Sequence, residues 1–240
     1  MSLDSPPASS QPSGEYAERG DYHRNLDRRW AHYPIYVEKI RLIEEILDAL
    51  PPSTRIVDLG CGEGLLVERY RGRGYDIRGY DLNYQSEFVT QADLLHLELS
   101  DASVDLVLAL DVIEHLNFGD QILALDEINR ILKPGGRYVA TMPNLGHFSG
   151  RLVFLLTGRL LRTSTIERHP GDRPMAEYVK LLRSKFHLRR VRGLFPTLPI
   201  SSLLTIAFPA AMLPWHRFLN AWWPFPSWCF LNLYDCEKRG

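Results

Sequence analysis

The sequence predicts an α/β fold, a doubly wound and mostly parallel sheet, and three observations carry that prediction. Arg55 to Leu59 is a short apolar run (Ile56, Val57, Leu59) of the kind buried on both faces of a parallel sheet. Gly60, Gly62 and Gly64 break it, and Leu65 to Tyr70 opens an amphipathic helix. A second buried strand, Ser103 to Leu110, is again followed by a helical pattern, Gln121 to Leu132. Strands alternating with helices build a sheet covered on both sides.

In chain order, Ser, Pro, Gly and Gln dominate the first residues, so 1–20 is expected to be a disordered tail. An aromatic and basic run follows, Tyr22-His23-Arg24, Trp30, Tyr33 and Tyr36. It reads mainly as core packing, with a lid over the glycine loop as the sharper alternative. Ile40, Leu42, Ile43, Ile46, Leu47 and Leu50 recur at helical spacing and stop at Pro51-Pro52. Tyr75 to Tyr80 is the second strand, ending at Asp81. Only Leu82 to Glu87 then separates it from Phe88-Val89. A parallel crossover normally takes about a dozen residues, so its helix has shrunk to a turn or the third strand is vestigial. Asp93 follows. Asp111 to Leu116 forms a turn after the fourth strand, Lys133-Pro134-Gly135-Gly136 reads as a turn, and Arg137 to Met142 is the fifth strand, closed by Pro143-Asn144.

The 240 residues, 45% hydrophobic, are enough for one sizeable core, read here as a single domain over 21–240. Three cysteines (Cys61, Cys229, Cys236) form no disulfide framework, and no signal peptide pattern opens the chain. Both point to a reducing, cytoplasmic setting. A net charge of −1 conceals an asymmetry: residues 1–146 carry 14 basic and 24 acidic side chains, residues 147–240 carry 14 and 5. A basic half with apolar surface points toward anionic substrates or a membrane surface.

The glycine loop departs from the dinucleotide pattern Gly-x-Gly-x-x-Gly, since Leu65 stands in the third glycine's place. Asp81, about twenty residues on, stands where a mononucleotide-binding fold puts a carboxylate on ribose hydroxyls. The ordered set of motifs, Val57 to Gly64, Tyr80-Asp81, Ala92-Asp93, Asp105-Leu106-Val107, Val112 to Leu116 and Leu132 to Gly136, resembles the class I S-adenosylmethionine-dependent methyltransferases of the small-molecule, type 11 sort. The resemblance is close over residues 36–145. It implies a seven-stranded Rossmann-like methyltransferase sheet with an antiparallel last strand, shortened between strands 2 and 3. It also implies S-adenosyl-L-methionine as cofactor, with 36–145 binding it, 146–225 forming substrate-side additions and 226–240 the final strand.

By that resemblance, Gly60, Gly62 and Gly64, with Cys61 among them, would meet the methionine part of the cofactor. Asp58 would hold its amino group, Asp81 and Leu82 the ribose, Asp93 and Leu94 the adenine, and Leu110 and Asp111 the sulfonium side. A base is useful if the acceptor is a hydroxyl, and histidine suits that role near neutral pH. The candidates are His147, just after the fifth strand and placed first, His169 in a polar loop, and His115. Asp111, Glu114 and His115 stand at i, i+3 and i+4, a spacing that could present a divalent metal set on one helical face, but no metal is assigned.

Phe148 to Leu161 is apolar and basic, Pro174 to Phe186 a helix, Leu188 to Gly193 the sixth strand and Trp228 to Tyr234 the last. Residues 193–215 lack charge, yet four prolines argue against a spanning helix. The segment with Trp215, Trp222 and Trp223 has two readings: a helix packed on the sheet or in a homodimer interface, or a peripheral membrane contact through 147–223 at the inner membrane surface. The expected activity is methyl transfer to a small molecule, most simply at a hydroxyl oxygen, with a lipid or lipid-linked sugar as acceptor if the membrane reading holds. Nucleic acid is not expected as partner. The rivals are a nicotinamide-dependent oxidoreductase and a non-catalytic binding protein that kept the fold.

Overall fold

The computed structural model describes residues 20–240; the expected disordered tail lies, but for Gly20, outside the described residues. Helix α1 (Tyr33–Asp48) begins with Pro34 in its first turn, where a missing N–H costs nothing. Strand β1 (Arg55–Leu59), helix α2 (Leu65–Arg71), strand β2 (Asp76–Asp81) and strand β3 (Val89–Gln91) follow. No helix lies between β2 and β3, and β3 is only three residues long, so the short crossover has cost both elements. Strand β4 (Val104–Leu110) leads through a single turn of 3₁₀ helix (Ile113–His115) into helix α3 (Phe118–Ile131). Asn117 caps α3 by accepting from the N–H groups of Gly119 and Asp120.

Strand β5 runs Leu132–Pro143. The Lys-Pro-Gly-Gly segment is therefore not a turn between elements. Leu132 still pairs with Val104, and the register shifts by three residues before Leu106 meets Arg137, with Gly135 at φ +73° inside the irregularity. Helix α4 (Phe148–Thr157), helix α5 (Met175–Lys185), strand β6 (Phe186–Pro196), helix α6 (Pro199–Ala207), helix α7 (Leu213–Trp222) and strand β7 (Cys229–Lys238) complete the chain.

The seven strands form one sheet in the order β3-β2-β1-β4-β5-β7-β6, with β7 antiparallel to both its neighbours and the remaining pairs parallel. Alternation along the strands feeds two cores. Val57, Leu59, Val107 and Ala109 pack with Leu125, Ile128, Tyr178 and Leu182 from α3 and α5. Ile56, Leu106, Leu108 and Val139 pack with Ile43, Leu47, Leu66 and Tyr70 from α1 and α2. All three cysteines are free. The carboxyl ends of β1, β2 and β4 come together at one edge, where Leu59 is level with Tyr80 and with Ala109. Both apolar termini of the C-terminal segment reach the same edge, since Pro196 pairs with Cys229.

Candidate functional site

At that edge Gly60, Gly62 and Gly64 all take left-handed backbone angles, with φ between +56° and +70°. A Cβ on Gly60 would lie 2.4 Å from Val112 Cγ2, so the β1 loop passes against the β4 loop at a distance only glycine permits. Asp81 closes β2 and turns its carboxylate back into this loop: Oδ2 accepts from Gly62 N–H at 2.9 Å and Oδ1 from Asn83 N–H at 2.8 Å. It is 8% exposed, and burial pushes its carboxyl up against the downward pull of those N–H groups.

Asp111, at the end of β4, sits at φ +58°, a strained angle for a non-glycine residue. Its carboxylate accepts from Lys39 Nζ at 2.6 Å and from Thr141 Oγ1 at 2.6 Å. Burial works against its charge, but Lys39 and Thr141 outweigh that and hold the carboxyl below its ordinary value. Asp58 is pushed up to about 7 by burial, with Lys39 pulling down and Asp81 pushing up. Lys39 of α1 thus faces the buried Asp58 and the half-buried Asp111 at once.

These groups border a cavity of about 740 Å³, within the usual span for a small-molecule site. Gly60, Asp81, Leu82, Asp93, Leu94, Leu110, Asp111, Glu114, His115 and His169 all line it. Asp58, Cys61 and Gly62 instead line a recess of about 80 Å³ behind the glycine loop, which Gly60 and Leu110 share. Gly64 lines neither, being packed against Val89. The run Tyr22 to Tyr36 forms the lid that core packing had been preferred to. Tyr22, His23, Trp30, His32 and Tyr36 line the cavity, His23 stacks on Tyr36 at 4.8 Å, and the N–H groups of His23 and Arg24 donate to the Glu63 carboxylate.

The three histidines separate. His147 does not line the cavity. It is 4% exposed, caps α4 by accepting from Gly150 N–H, and pairs with Thr197 Oγ1 at 3.0 Å. Burial, aided by Arg151, pushes it down to about 4. A position just past a parallel strand suggested a ligand contact, but the chain turned there into a helix that needed a cap. His115 and His169 do face the cavity, their rings 4.6 Å apart edge to face.

His169 is held by a relay. Its Nδ1 lies 3.0 Å from Thr163 Oγ1, and that hydroxyl donates to Asp172 Oδ2 at 2.6 Å. A hydroxyl has one proton, so Thr163 accepts from His169 Nδ1–H, and Nε2 carries the lone pair. Buried Gln121 anchors the loop by donating to the carbonyls of Ile113 and Gly171 while accepting from Arg173 Nε. The metal set weighed from spacing does not assemble, because Asp111 is turned to Lys39. Among the described residues Glu114, His115 and His169 instead bring one ligand atom each within 4.8 Å of one another. Burial, then Asp111, pushes Glu114 well above the usual carboxyl range. Sequence reasoning missed Lys39, His32, Thr163 and Asp172; His32 stood inside the aromatic run, while nothing periodic marked the others.

A buried carboxylate at the end of β2, hydrogen-bonded into a glycine loop beside a cavity at the sheet's carboxyl edge, is the arrangement of the nucleotide-binding class of α/β proteins. The chain belongs to the methyltransferase-domain family, whose model matches residues 22–192, and S-adenosylmethionine is that family's cofactor. Among curated relatives, it is 33% identical over 115 residues to ribosomal RNA-processing protein 8 of Dictyostelium discoideum, covering 48% of this chain and 28% of that one. It is 35% identical over 104 residues to a protein of Mycolicibacterium smegmatis named "probable S-adenosylmethionine-dependent methyltransferase", covering 39% and 40%. It is 30% identical over 135 residues to the ubiquinone biosynthesis O-methyltransferase of Nitrobacter winogradskyi, covering half of each. The chain thus spans half or less of these relatives' lengths. A SAM-dependent methyltransferase structure from Thermotoga maritima shares the fold, with TM-score 0.59 at 16% identity over 93% of this chain and 98% of that one.

The residues present fit S-adenosylmethionine in their chemistry. Asp81 keeps acceptor capacity for a diol beyond its two backbone donors. Leu82, Ala92, Leu94 and Leu97 offer apolar walls to a base, and buried Asp58 offers a carboxylate to an ammonium.

Proposed function

We propose that this chain transfers the methyl group of S-adenosylmethionine to a hydroxyl oxygen of a small molecule, with His169 as the base. The observation that carries the reading is the pairing of two groups across one cavity, the Asp81 carboxylate and a histidine whose tautomer leaves Nε2 unprotonated. In this reading Gly60, Cys61, Gly62 and Asp58 hold the amino-acid end, Asp81 and Leu82 the ribose, Asp93 and Leu94 the base, and Leu110 and Asp111 the sulfur side. Gly64 serves by shape, letting the loop pack on β3. When bound, the cofactor supplies an electrophilic methyl on a sulfonium. The protein's part is to align the acceptor oxygen, exclude water under the Tyr22–Tyr36 lid, and accept the hydroxyl proton at His169 Nε2. Alignment supplies most of the rate. Relatives named for an O-methyltransferase and for RNA processing frame the acceptor question. The concave, partly apolar cavity favours a small molecule, and the surface beside it favours a lipid or lipid-linked sugar.

Calorimetric titration tests the cofactor. S-adenosylhomocysteine is expected to bind and NADH not to; the reverse would end this reading. With labelled cofactor, label is expected in the organic phase of a lipid extract, and label confined to added RNA would reassign the acceptor. The Glu114-His115-His169 cluster supports a second reading, a divalent cation orienting the acceptor. Activity lost to chelator and restored by Mg²⁺ or Mn²⁺ would select it, whereas the base reading predicts full activity in excess chelator.

The Asp58 role sets a pH dependence. Its folded value, about 7, is above the unfolded 3.8, so its contribution to stability falls as pH rises through that window. An ammonium at Asp58 needs the carboxylate form. S-adenosylhomocysteine affinity should therefore fall by up to about tenfold per pH unit below 7 and level off above it. Asp58→Asn should flatten that profile; an unchanged slope in the variant would remove Asp58 from the role.

A further inference from the structure

Helices α6 and α7 form a hairpin whose polarity is reversed. Apart from Leu219, its buried side is polar: Thr205 Oγ1 meets His216 Nε2 at 2.6 Å, Trp215 Nε1 donates to Ser201 Oγ at 2.7 Å, and Asn220 Oδ1 accepts from Phe195 N–H at 2.8 Å. Its outer side is apolar, with Ile200 76% and Trp222 75% exposed beside Leu203, Phe208 and Phe218. A water-facing helix is built the other way round. Arg217 ties the hairpin to α1 through buried Glu38, with Nε 3.1 Å from Oε2, so the reversed face is anchored outward.

Helix α4 extends the same character. Phe154, Leu155 (80% exposed) and Leu156 project from its last turn, and Leu160 and Leu161 from the segment after it. Its first turn is held to the link between β6 and α6 by Ser149 N–H donating to Thr197 Oγ1, and Arg151 donates to Ser227 O. Of the 20 large apolar side chains exposed among the described residues, 16 lie within 154–225, so this is a surface and not scatter. No helix among the described residues is long and apolar enough to cross a membrane.

Charge decides the occupant. No Asp or Glu occurs in residues 147–166 or 178–234, while Arg151 and Arg159 lie along the apolar stretch of α4 and the residues after it. Two copies of this face would set one basic rim against another. RNA could stack on the exposed rings but would leave the leucines and isoleucines, nine of the sixteen exposed apolar side chains, with nothing to pack against. An anionic bilayer satisfies both components: acyl chains take the leucines and isoleucines, the interface takes the tryptophans, and phosphates take the arginines.

We propose that the face formed by α4, α6 and α7 docks on an anionic lipid surface, the cytoplasmic leaflet for a cytoplasmic chain, so that the acceptor reaches His169 from the membrane. The segment after α4 makes the connection: Leu160 and Leu161 are exposed, and two residues on Thr163 lines the cavity and holds His169. The docking stands on its own surface; the claim about the acceptor rests on the proposed methyl transfer.

Co-sedimentation of the full chain with vesicles tests it, using phosphatidylcholine alone and phosphatidylcholine mixed with phosphatidylglycerol, at low and high salt. Binding to the anionic vesicles only, weakening as salt rises, is the expected result. The double variant Leu155→Asp/Trp222→Asp should bind them at least about tenfold more weakly, with its thermal midpoint and S-adenosylhomocysteine affinity unchanged. No vesicle binding with intact cofactor binding would overturn the docking and leave the methyl-transfer reading standing; vesicle binding without cofactor binding would do the opposite. A stable dimer broken by the same double variant, or RNA binding in place of vesicle binding, would also overturn it.

Discussion

Replacing Asp81 with alanine is expected to weaken S-adenosylhomocysteine binding by roughly 10²–10⁴-fold, since each hydrogen bond to a charged group contributes about 1.5–3 kcal/mol and the ribose diol would make two. The carboxylate is buried at the end of β2 and already spends two acceptor positions on Gly62 and Asn83 N–H groups. Those donors orient it toward the cavity and keep it from swinging to solvent. Alanine removes ribose ligand and orienter together and strands the Gly62 N–H, so some stability is lost as well. Asp81→Asn is the milder change, because its amide oxygen still accepts from one of the two N–H groups while its NH2 opposes the other and the charge is gone. Its thermal midpoint should fall less than that of the alanine variant, and it should still bind markedly less well. Near-normal binding by either variant would remove Asp81 from the nucleoside. Lost binding with the biological role intact would favour a non-catalytic protein that kept the fold.

The second large effect falls on turnover. His169→Ala is expected to lower kcat by roughly 10²–10⁴-fold, the usual worth of a positioned base, with S-adenosylhomocysteine affinity unchanged. The prediction is sharp because the proton position is set by the network: Thr163 gives its proton to Asp172 and so takes one from His169 Nδ1. Thr163→Val should lower kcat in the same direction by a smaller factor and shift its pH profile, since the imidazole loses the partner that sets its tautomer. His147→Ala supplies the contrast. Losing a cap costs about 1 kcal/mol, so its thermal midpoint should fall while kcat stays. If His147→Ala instead abolished turnover in a stably folded protein, the assignment of the base would be reversed.

The sheet edge that opens the cavity was legible because its signals are backbone signals. Apolar runs bounded by glycine or aspartate mark parallel strands, and their ends mark the edge where Gly60, Asp81 and Asp111 gather. The missing crossover helix could be read from simple length. Side-chain relays across elements had no such signature. A lone lysine in a helix ordinarily stays at the surface, yet Lys39 is buried against Asp111. Thr163 and Asp172 lie in a loop without period, and only the fold brings them to His169. His147 misled for the converse reason, since its place past β5 was right and its side chain was consumed by the helix start. In the C-terminal segment composition announced an apolar, basic surface, but which side of α6 and α7 faces inward depended on partners such as Asn220 and Phe195 that meet only in three dimensions.

A crystal structure of the chain with S-adenosylhomocysteine tests the central claim most directly. Both ribose hydroxyls are expected within hydrogen-bond distance of the Asp81 carboxylate, with the sulfur turned toward the side of the cavity that holds His169. A ribose lying elsewhere, or Asp81 still bonded only to Gly62 and Asn83 while the ligand occupies another surface, would contradict it.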